Sequence, residues 1–142
     1  MKPDSASVME HTITIRVRYP ETDPMGYLHH SRHLQYFEMG RVELLRSLGH
    51  SYAELEKRGI YFAVVKAEVR YKAPARYDDE LTLLTRLIKV THVRYDHVYL
   101  LKMGNLVLAE ASTTIACVDR NGELQQIPEW LSGGDMRDAD SE

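Results

Sequence analysis

The sequence predicts an α+β domain in which one antiparallel sheet of about five strands packs against a single long helix. Three patterns support this fold class: an alternating strand segment opens the chain, one long helical stripe follows, and four further alternating segments complete it. A sheet with one apolar face and a helix with one apolar stripe bury these surfaces against each other. We therefore expect the helix to lie on the concave face of the sheet.

The first strand is marked by Ile13, Ile15 and Val17, which alternate with polar residues. It should end before Pro20, because proline lacks a backbone N–H and biases the residue before it away from helix. The segment PETDPMG that begins at Pro20 contains two prolines and a glycine, so we expect it to form a loop that ends at Gly26.

A helical pattern extends from about His30 to Leu48. Its stripe consists of four apolar residues and one charged residue, namely Leu34, Phe37, Arg41, Leu45 and Leu48. Gly49 supplies a stop signal for this helix. Ser51 can cap a second, short helix, which Gly59 should end.

Four strands are predicted after the helices, at residues 60–72, 81–90, 93–103 and 106–118, with a hairpin turn at Gly104-Asn105. The strand at 60–72 should bury one face, formed by Ala63, Val65, Ala67, Val69 and Tyr71. One face of the last strand is rich in small residues, which suits a sheet that curves around a helix. The edges of such a sheet are unprotected, so pairing with a second subunit is expected.

Length and composition limit the possible classes of protein. The 142 residues are expected to form a single domain over 1–142, with a core at about 12–131 and frayed tails. A net charge of −3 without a basic tail argues against nucleic acid as a partner. No apolar run reaches the length of a membrane span, and the start of the chain does not resemble a secretory signal. The single cysteine, Cys117, suggests a reducing compartment, so we expect a cytoplasmic protein without membrane partners.

Few residues qualify as nucleophiles or metal ligands. Cys117 lies in an apolar alternation and is predicted to be a core residue. His30 and His33 share a helical face near His29, but no third ligand stands at a suitable spacing, so no metal site is predicted. The chain has no G-x-S-x-G motif and no phosphate-binding glycine loop, so neither a serine hydrolase nor a nucleotide enzyme is predicted.

The loop before the long helix places Asp23 in a tight turn, a few residues before the helix N-terminus. Free backbone N–H groups and the positive end of the helix dipole there can stabilise a developing oxyanion. A carboxylate beside such a site can act on an acyl carbonyl as a nucleophile or as a general base. Thr-Asp-Pro is also ordinary turn chemistry, so the residues alone leave both interpretations open.

This segment resembles the signature of the 4-hydroxybenzoyl-CoA thioesterase family of hot-dog proteins, approximately D-T-D-x-x-G-x-V-x-H-x-N-Y-L-x-[YFW]-[FL]-E. The matching residues are Glu21-Thr22-Asp23-Pro24-Met25-Gly26, Leu28, His30, Leu34 and Tyr36-Phe37-Glu38. A second match, Tyr77-Asp78-Asp79-Glu80-Leu81, is similar to the family's Y-D-D-x-L motif. The resemblance covers roughly residues 12–130 and implies a hot-dog fold, with the sheet wrapped around the central helix. Arg32 and His33 depart from the pattern, since the family commonly has Asn and Tyr there.

The resemblance implies an acyl-CoA thioesterase that needs no cofactor and releases a carboxylate and free CoA. Asp23 would be the catalytic carboxylate, Gly26 would permit the turn, and the backbone N–H of His30 would polarise the thioester oxygen. The His30 side chain would lie beside the reacting group, unless it is a cap or dimer-contact histidine. Candidate contacts for the CoA phosphates are Lys72, Arg76, Lys89 and Arg94, each of which can also be read as a solvated charge at a strand edge.

Several alternatives remain open. Another hot-dog branch uses a helix glutamate, here Glu38 or Glu43, although each can pair with an arginine three residues later. The D-x-x-P-x-H pattern of hot-dog hydratases is absent, because Gly26 follows Asp23 by three. The domain could also act on acyl-carrier protein or bind acyl-CoA without turnover. A homodimer or homotetramer is expected.

Overall fold

The computed structural model describes residues 9–131, so the predicted tail at 132–142 and residues 1–8 lie outside the described part of the chain. Residues 9–11, which we expected in a frayed tail, belong to the first strand instead. The strands are β1 (Met9–Arg16), β2 (Tyr61–Tyr71), β3 (Glu80–Val90), β4 (Arg94–Met103) and β5 (Leu106–Val118). The two helices are α1 (Arg32–Ser47) and α2 (Tyr52–Lys57).

All five strands form one antiparallel sheet with the order β1-β3-β4-β5-β2, which confirms the predicted fold class. Strands β3, β4 and β5 therefore occupy the centre of the sheet, and β1 and β2 form its two edges. The predicted turn at Gly104 joins β4 to β5, and Gly104 has the positive φ of +60° that favours glycine. Among the described residues, no helix is both long enough and apolar enough to cross a bilayer.

The helix α1 packs on one face of the sheet. Phe37 is fully buried and stacks on Tyr99 of β4 with their ring centroids 4.6 Å apart. Gly40 faces β3 so closely that a Cβ atom would collide with the side chain of Thr85. The buried residues of α1 are His33, Tyr36, Phe37, Gly40, Arg41, Leu44 and Leu45.

The predicted stripe of α1 is correct for Phe37, Arg41 and Leu45 and wrong for Leu34 and Leu48, which are 44% and 43% exposed. The buried face is centred nearer to Gly40 than the apolar residues suggested. Glycine and histidine do not read as apolar, and yet Gly40 and His33 are buried, with Gly40 close against β3.

The predicted pairing of Glu38 with Arg41 is wrong. Arg41 is only 6% exposed, and its guanidinium donates a hydrogen bond to the hydroxyl of Tyr99 at 3.0 Å. Tyr99 in turn shares a hydrogen bond of 2.5 Å with Thr113. Arg41 therefore belongs to a buried polar group between helix and sheet, because its long side chain turns inward and not along the helix surface.

The prediction that one face of β2 is buried is also wrong for the single chain. Ala63, Val65, Ala67 and Tyr71 are exposed, and only Val69 of the five is partly buried. A bulge at Val65 interrupts the alternation. Because β2 is an edge strand, most of its apolar side chains have no cover in the single chain.

Candidate active site

The loop between β1 and α1 folds Asp23 into a hydrogen-bonded turn. One carboxylate oxygen, Oδ1, accepts hydrogen bonds from the backbone N–H groups of Met25 at 2.9 Å and Tyr27 at 3.0 Å. The backbone closes the same turn, since the N–H of Gly26 donates to the carbonyl of Asp23 at 2.8 Å. Gly26 has φ +84°, a conformation that glycine adopts without a steric cost. The turn thus fixes one carboxylate oxygen and leaves Oδ2 without a hydrogen-bond partner among the described residues.

A buried carboxylate holds this loop against the helix. Glu21 is 5% exposed, and its Oε1 accepts hydrogen bonds from the Tyr36 hydroxyl at 2.7 Å and from the backbone N–H of Arg18 at 2.9 Å. Its Oε2 accepts from the guanidinium of Arg18 at 3.0 Å. Burial alone would raise the pKa of Glu21, but the hydrogen bonds from Arg18 and Tyr36 outweigh burial and lower the pKa.

His30 lies in the turn just before α1 and not in its first turn as predicted. The N–H of the preceding residue, His29, donates to the Glu21 carbonyl at 2.9 Å, and Ser31 is the residue before the helix. No residue in the described range 9–131 accepts a hydrogen bond from the N–H of His30. This donor is therefore available to a ligand, as the oxyanion prediction requires.

Asp23 and His30 border the same cleft, which has a volume of about 320 Å³. Leu28, Ala73, Pro74 and Ala75 supply its apolar wall. Polar side chains line the rest, from Asp23, Tyr27, His30, His33, Tyr71 and Lys72. A carboxylate, an apolar wall and a residue with a free backbone N–H border one cleft, which suits the binding of an acyl group next to a reacting carbonyl.

His33 and Tyr71 are among the residues of the cleft that were not predicted as site residues. His33 is 5% exposed and meets the ring of Tyr71 edge-on, with centroids 4.7 Å apart. Burial lowers the pKa of His33, although the backbone of His30 and His29 opposes this effect, so the ring is neutral at pH 7. The only signal in the sequence was the departure of His33 from the family pattern.

The four predicted cations do not lie together. Lys72 lines the cleft and pairs with Glu110 at 3.8 Å, while the guanidinium of Arg76 lies 4.7 Å from the ring centre of Tyr27 at the rim. Lys89 and Arg94 lie at the other end of the sheet, at the end of β3 and the start of β4. Nine residue steps along β3 separate Glu80 from Lys89, so the two ends of this strand are about 30 Å apart.

The alternative carboxylates on α1 lie outside the cleft. Glu43 pairs with Arg46 at 3.1 Å, as predicted, and Glu38 is exposed. Neither glutamate borders the cleft that contains Asp23. Within residues 9–131, no group of three or more histidine, cysteine or acidic side chains is arranged to bind a metal ion. Cys117 is fully buried, as predicted, and burial raises the pKa of its thiol.

The chain is similar to known thioesterases in sequence and in structure. The sequence model of a family described as the thioesterase-like superfamily matches residues 17–133. The acyl-CoA thioesterase YbgC of Haemophilus influenzae is 33% identical over 106 residues, which cover 74% of this chain and 78% of the relative. A probable thioesterase from Bartonella henselae superposes with a TM-score of 0.81 at 30% identity, covering 84% of this chain and 99% of the other. The DHNA-CoA thioesterase of Staphylococcus aureus superposes with a TM-score of 0.83 at 26% identity, covering 89% of each chain.

Proposed function

The chain belongs to the thioesterase-like superfamily, and we propose that it hydrolyses acyl-CoA thioesters with Asp23 as its catalytic carboxylate. The fold is that of the hot-dog thioesterases, and the chain is a thioester hydrolase. The observation that carries the assignment of Asp23 is its geometry. One oxygen is fixed by two backbone N–H groups, the other has no partner within the described chain, and the cleft beside it also contains His30.

The free Oδ2 of Asp23 can serve in either of two ways. As a nucleophile it would attack the thioester carbonyl, and water would then hydrolyse the acyl intermediate. As a general base it would take a proton from the water that attacks. In both cases the N–H of His30 stabilises the oxyanion, the C–S bond breaks, and the CoA sulfur leaves as a thiolate that takes up a proton. The products are a carboxylate and free CoA, and no cofactor is needed.

Two of the candidate cations suit a CoA that enters this cleft. Lys72 lines the cleft and Arg76 lies at its rim, so both can reach phosphate groups outside the acyl site. Lys89 and Arg94 stay predictions, because their place at the far end of the sheet allows contact only with a CoA bound elsewhere in an assembly.

Within the superfamily we assign the chain to the 4-hydroxybenzoyl-CoA thioesterase family. The support for this narrower assignment is the motif from Glu21 to Glu38, together with the Tyr77-Asp78-Asp79 segment that enters β3. Arg32 and His33 are the departures. His33 lines the cleft, so the acyl preference is expected to differ from that of relatives with tyrosine at this position.

The active form is proposed to be a homodimer or homotetramer in which β2 pairs with β2 of a second copy. Strand β2 is an edge of the sheet, and its exposed apolar residues include Val64 and Val65, which are 53% and 58% exposed. A cytoplasmic location is part of this proposal, since the single cysteine in the chain is consistent with a reducing compartment.

The proposed reaction is tested by following thiol release from short-chain, long-chain and aromatic acyl-CoAs, with the matching acyl-carrier-protein thioesters alongside. We expect multiple turnovers on at least one acyl-CoA, with a higher kcat/KM than on the carrier-protein form. Faster turnover of acyl-carrier protein would change the substrate class. Measurable binding of acyl-CoA without any thiol release would contradict the enzyme assignment and favour a binding module.

A further inference from the structure

Tyr71 is the last residue of β2, and its side chain reaches the segment that precedes α1. Its hydroxyl donates a hydrogen bond to the carbonyl oxygen of His30 at 2.8 Å, across 41 residues of sequence. Other hydrogen bonds also fix this segment, from the His29 N–H to the Glu21 carbonyl at 2.9 Å and from the Leu28 N–H to the Ala75 carbonyl at 2.8 Å. The bond from Tyr71 is the one that ties the carbonyl of His30 itself to the end of β2.

We propose that Tyr71 is a positioning residue for thioester hydrolysis, which holds the backbone of His30 so that its N–H stays aimed at the substrate oxygen. This inference rests on the proposed function, in which that N–H stabilises the oxyanion. The carbonyl and the N–H of His30 lie on opposite sides of the same Cα atom, so fixing the carbonyl reduces the backbone conformations that are open to the N–H. An oxyanion donor works only when it is held at 2.7–3.1 Å from the oxyanion, and a displacement of about 1 Å can cost about a hundredfold in rate.

Two hydrogen bonds restrain the backbone of His30: the one from Tyr71 to its carbonyl, and the one from the Arg32 N–H to the carbonyl of His29, which shares a peptide plane with the N–H of His30. His30 lies outside α1, its side chain is exposed, and its ring stacks on that of His29 with the centroids 4.3 Å apart. Without the bond from Tyr71, the His30 carbonyl would lose its link to the sheet, and the turn would keep only the local bond from Arg32 next to the N–H. The N–H would then be held less tightly than the reaction requires.

Tyr71 is itself fixed in place from two sides. Its backbone pairs with Ala109 of β5, and its ring meets the buried ring of His33 edge-on at 4.7 Å. Burial also raises the pKa of the Tyr71 phenol, so the hydroxyl keeps its proton and remains a donor at neutral and mildly alkaline pH. Because the Tyr71 side chain contacts both the sheet and α1, its hydrogen bond holds the His30 carbonyl at a fixed place relative to both elements.

The test is Tyr71→Phe, which removes the hydroxyl and keeps the ring. We expect kcat to fall about tenfold while KM stays within about twofold, because the bond acts on the transition state and not on substrate binding. The matched control is Tyr77→Phe, since Tyr77 is exposed to a similar extent (55% against 50%) and packs on Tyr19 and not on the cleft. The control should leave both constants unchanged.

Three outcomes would overturn the proposal. The first is a kcat of Tyr71→Phe within about twofold of wild type. The second is a loss of kcat that only follows a loss of folded protein. The third is a rise in KM at unchanged kcat, which would make Tyr71 a substrate contact.

Amide hydrogen exchange gives a readout that does not depend on activity. In the free protein, Tyr71→Phe should accelerate exchange of the His29 and Arg32 amides by about two- to tenfold, because both donate hydrogen bonds within the tethered segment. Tyr77→Phe should not change these rates. Wild-type protein that cleaves no thioester would contradict the proposed function, whereas unchanged exchange in Tyr71→Phe would overturn the tether even if the enzyme is active.

Discussion

Two carboxylates in one loop, Glu21 and Asp23, show how surroundings assign different roles to the same chemical group. Glu21 is buried, and both of its oxygens accept hydrogen bonds from Arg18 or Tyr36. Asp23 is only partly buried and keeps one oxygen without a partner among the described residues. A carboxylate with both oxygens satisfied stabilises the fold, while one with a free oxygen is available for chemistry.

At the scale of single residues, we expect Glu21→Gln to lower the free energy of unfolding at pH 7 by about 1–3 kcal/mol, because hydrogen bonds to a charged group are lost. The pKa of Glu21 is lowered in the fold, so its stabilisation is complete above the ordinary value of 4.5 and is lost as the pH falls below it. The difference in the free energy of unfolding between wild type and Glu21→Gln should therefore become smaller below about pH 4.5. Denaturant unfolding at a series of pH values measures this difference.

The control for this prediction is Glu80→Gln. Glu80 is an exposed carboxylate whose contact with Arg16 at 3.6 Å should contribute little. Two results would contradict the role given to the charge of Glu21. One is a Glu21→Gln protein as stable as wild type at pH 7, and the other is a loss of stability that stays the same below about pH 4.5.

Among the elements, the packing of α1 on the sheet depends on a residue that has no side chain. Gly40 is buried over β3, where an added Cβ would collide with the Thr85 hydroxyl and would come within 2.9 Å of a Leu83 methyl group. Glycine in a helix normally costs about 1 kcal/mol relative to alanine. Its presence here is explained by the close approach of helix and sheet.

We expect Gly40→Ala to lower the free energy of unfolding by about 1–3 kcal/mol, since overpacking outweighs the gain in helix propensity. The comparison is Gln35→Ala, on the exposed side of the same helix, which should change stability by less than about 0.5 kcal/mol. Chemical denaturation measures both. A Gly40→Ala protein as stable as wild type, or more stable, would contradict the packing described for α1.

The order and type of the elements could be predicted because their signals are local. Alternation marks the strands, and the cap at Ser51, whose hydroxyl accepts the Glu54 N–H at 3.1 Å, is a pattern within four residues. The rotation of α1 could not be read in the same way, because Gly40 and His33 contact the sheet without being apolar. The burial of β2 depends on its place at the edge, which only the strand order reveals.

The same difference between local signals and long-range contacts decides which parts of the candidate site could be predicted. Asp23, Gly26 and His30 were predicted because they fall within one short motif, and the structure brings Asp23 and His30 to one cleft. The supports of the site were missed. Tyr36 reaches Glu21 across 15 residues and Tyr71 reaches His30 across 41, and no local pattern marks such contacts.

For the molecule as a whole, the edge strand β2 leaves one side without a partner strand in the described chain, as does the other edge strand, β1. Strand β2 is 11 residues long, and one of its two sides pairs with β5 while the other has no partner strand in the described chain. Exposed apolar side chains along such an edge favour strand pairing between copies. Assembly would cover this edge. Because Tyr71 at the end of β2 lines the cleft, a second copy paired with β2 would lie close to the cleft.

We expect Val65→Lys to shift the protein from the proposed oligomer toward monomer, because a charged side chain on an edge strand opposes pairing. Size-exclusion chromatography with light scattering measures the mass. Ile88→Lys is the matched control, since Ile88 is an equally apolar residue, 47% exposed, at a bulge of the internal strand β3. A wild-type protein that is monomeric at micromolar concentration would contradict the assembly.

The most direct test of the central claim is the kcat of Asp23→Asn for thiol release from the best acyl-CoA substrate. Asparagine keeps an oxygen for the N–H groups of Met25 and Tyr27, so the turn should survive while the carboxylate is lost. We predict a fall in kcat of at least about a hundredfold, while Asp96→Asn, a change at the Thr114 contact on β4, stays near wild type. Undiminished turnover by Asp23→Asn would contradict the account and move the catalytic role to another carboxylate, with Glu38 the next to test.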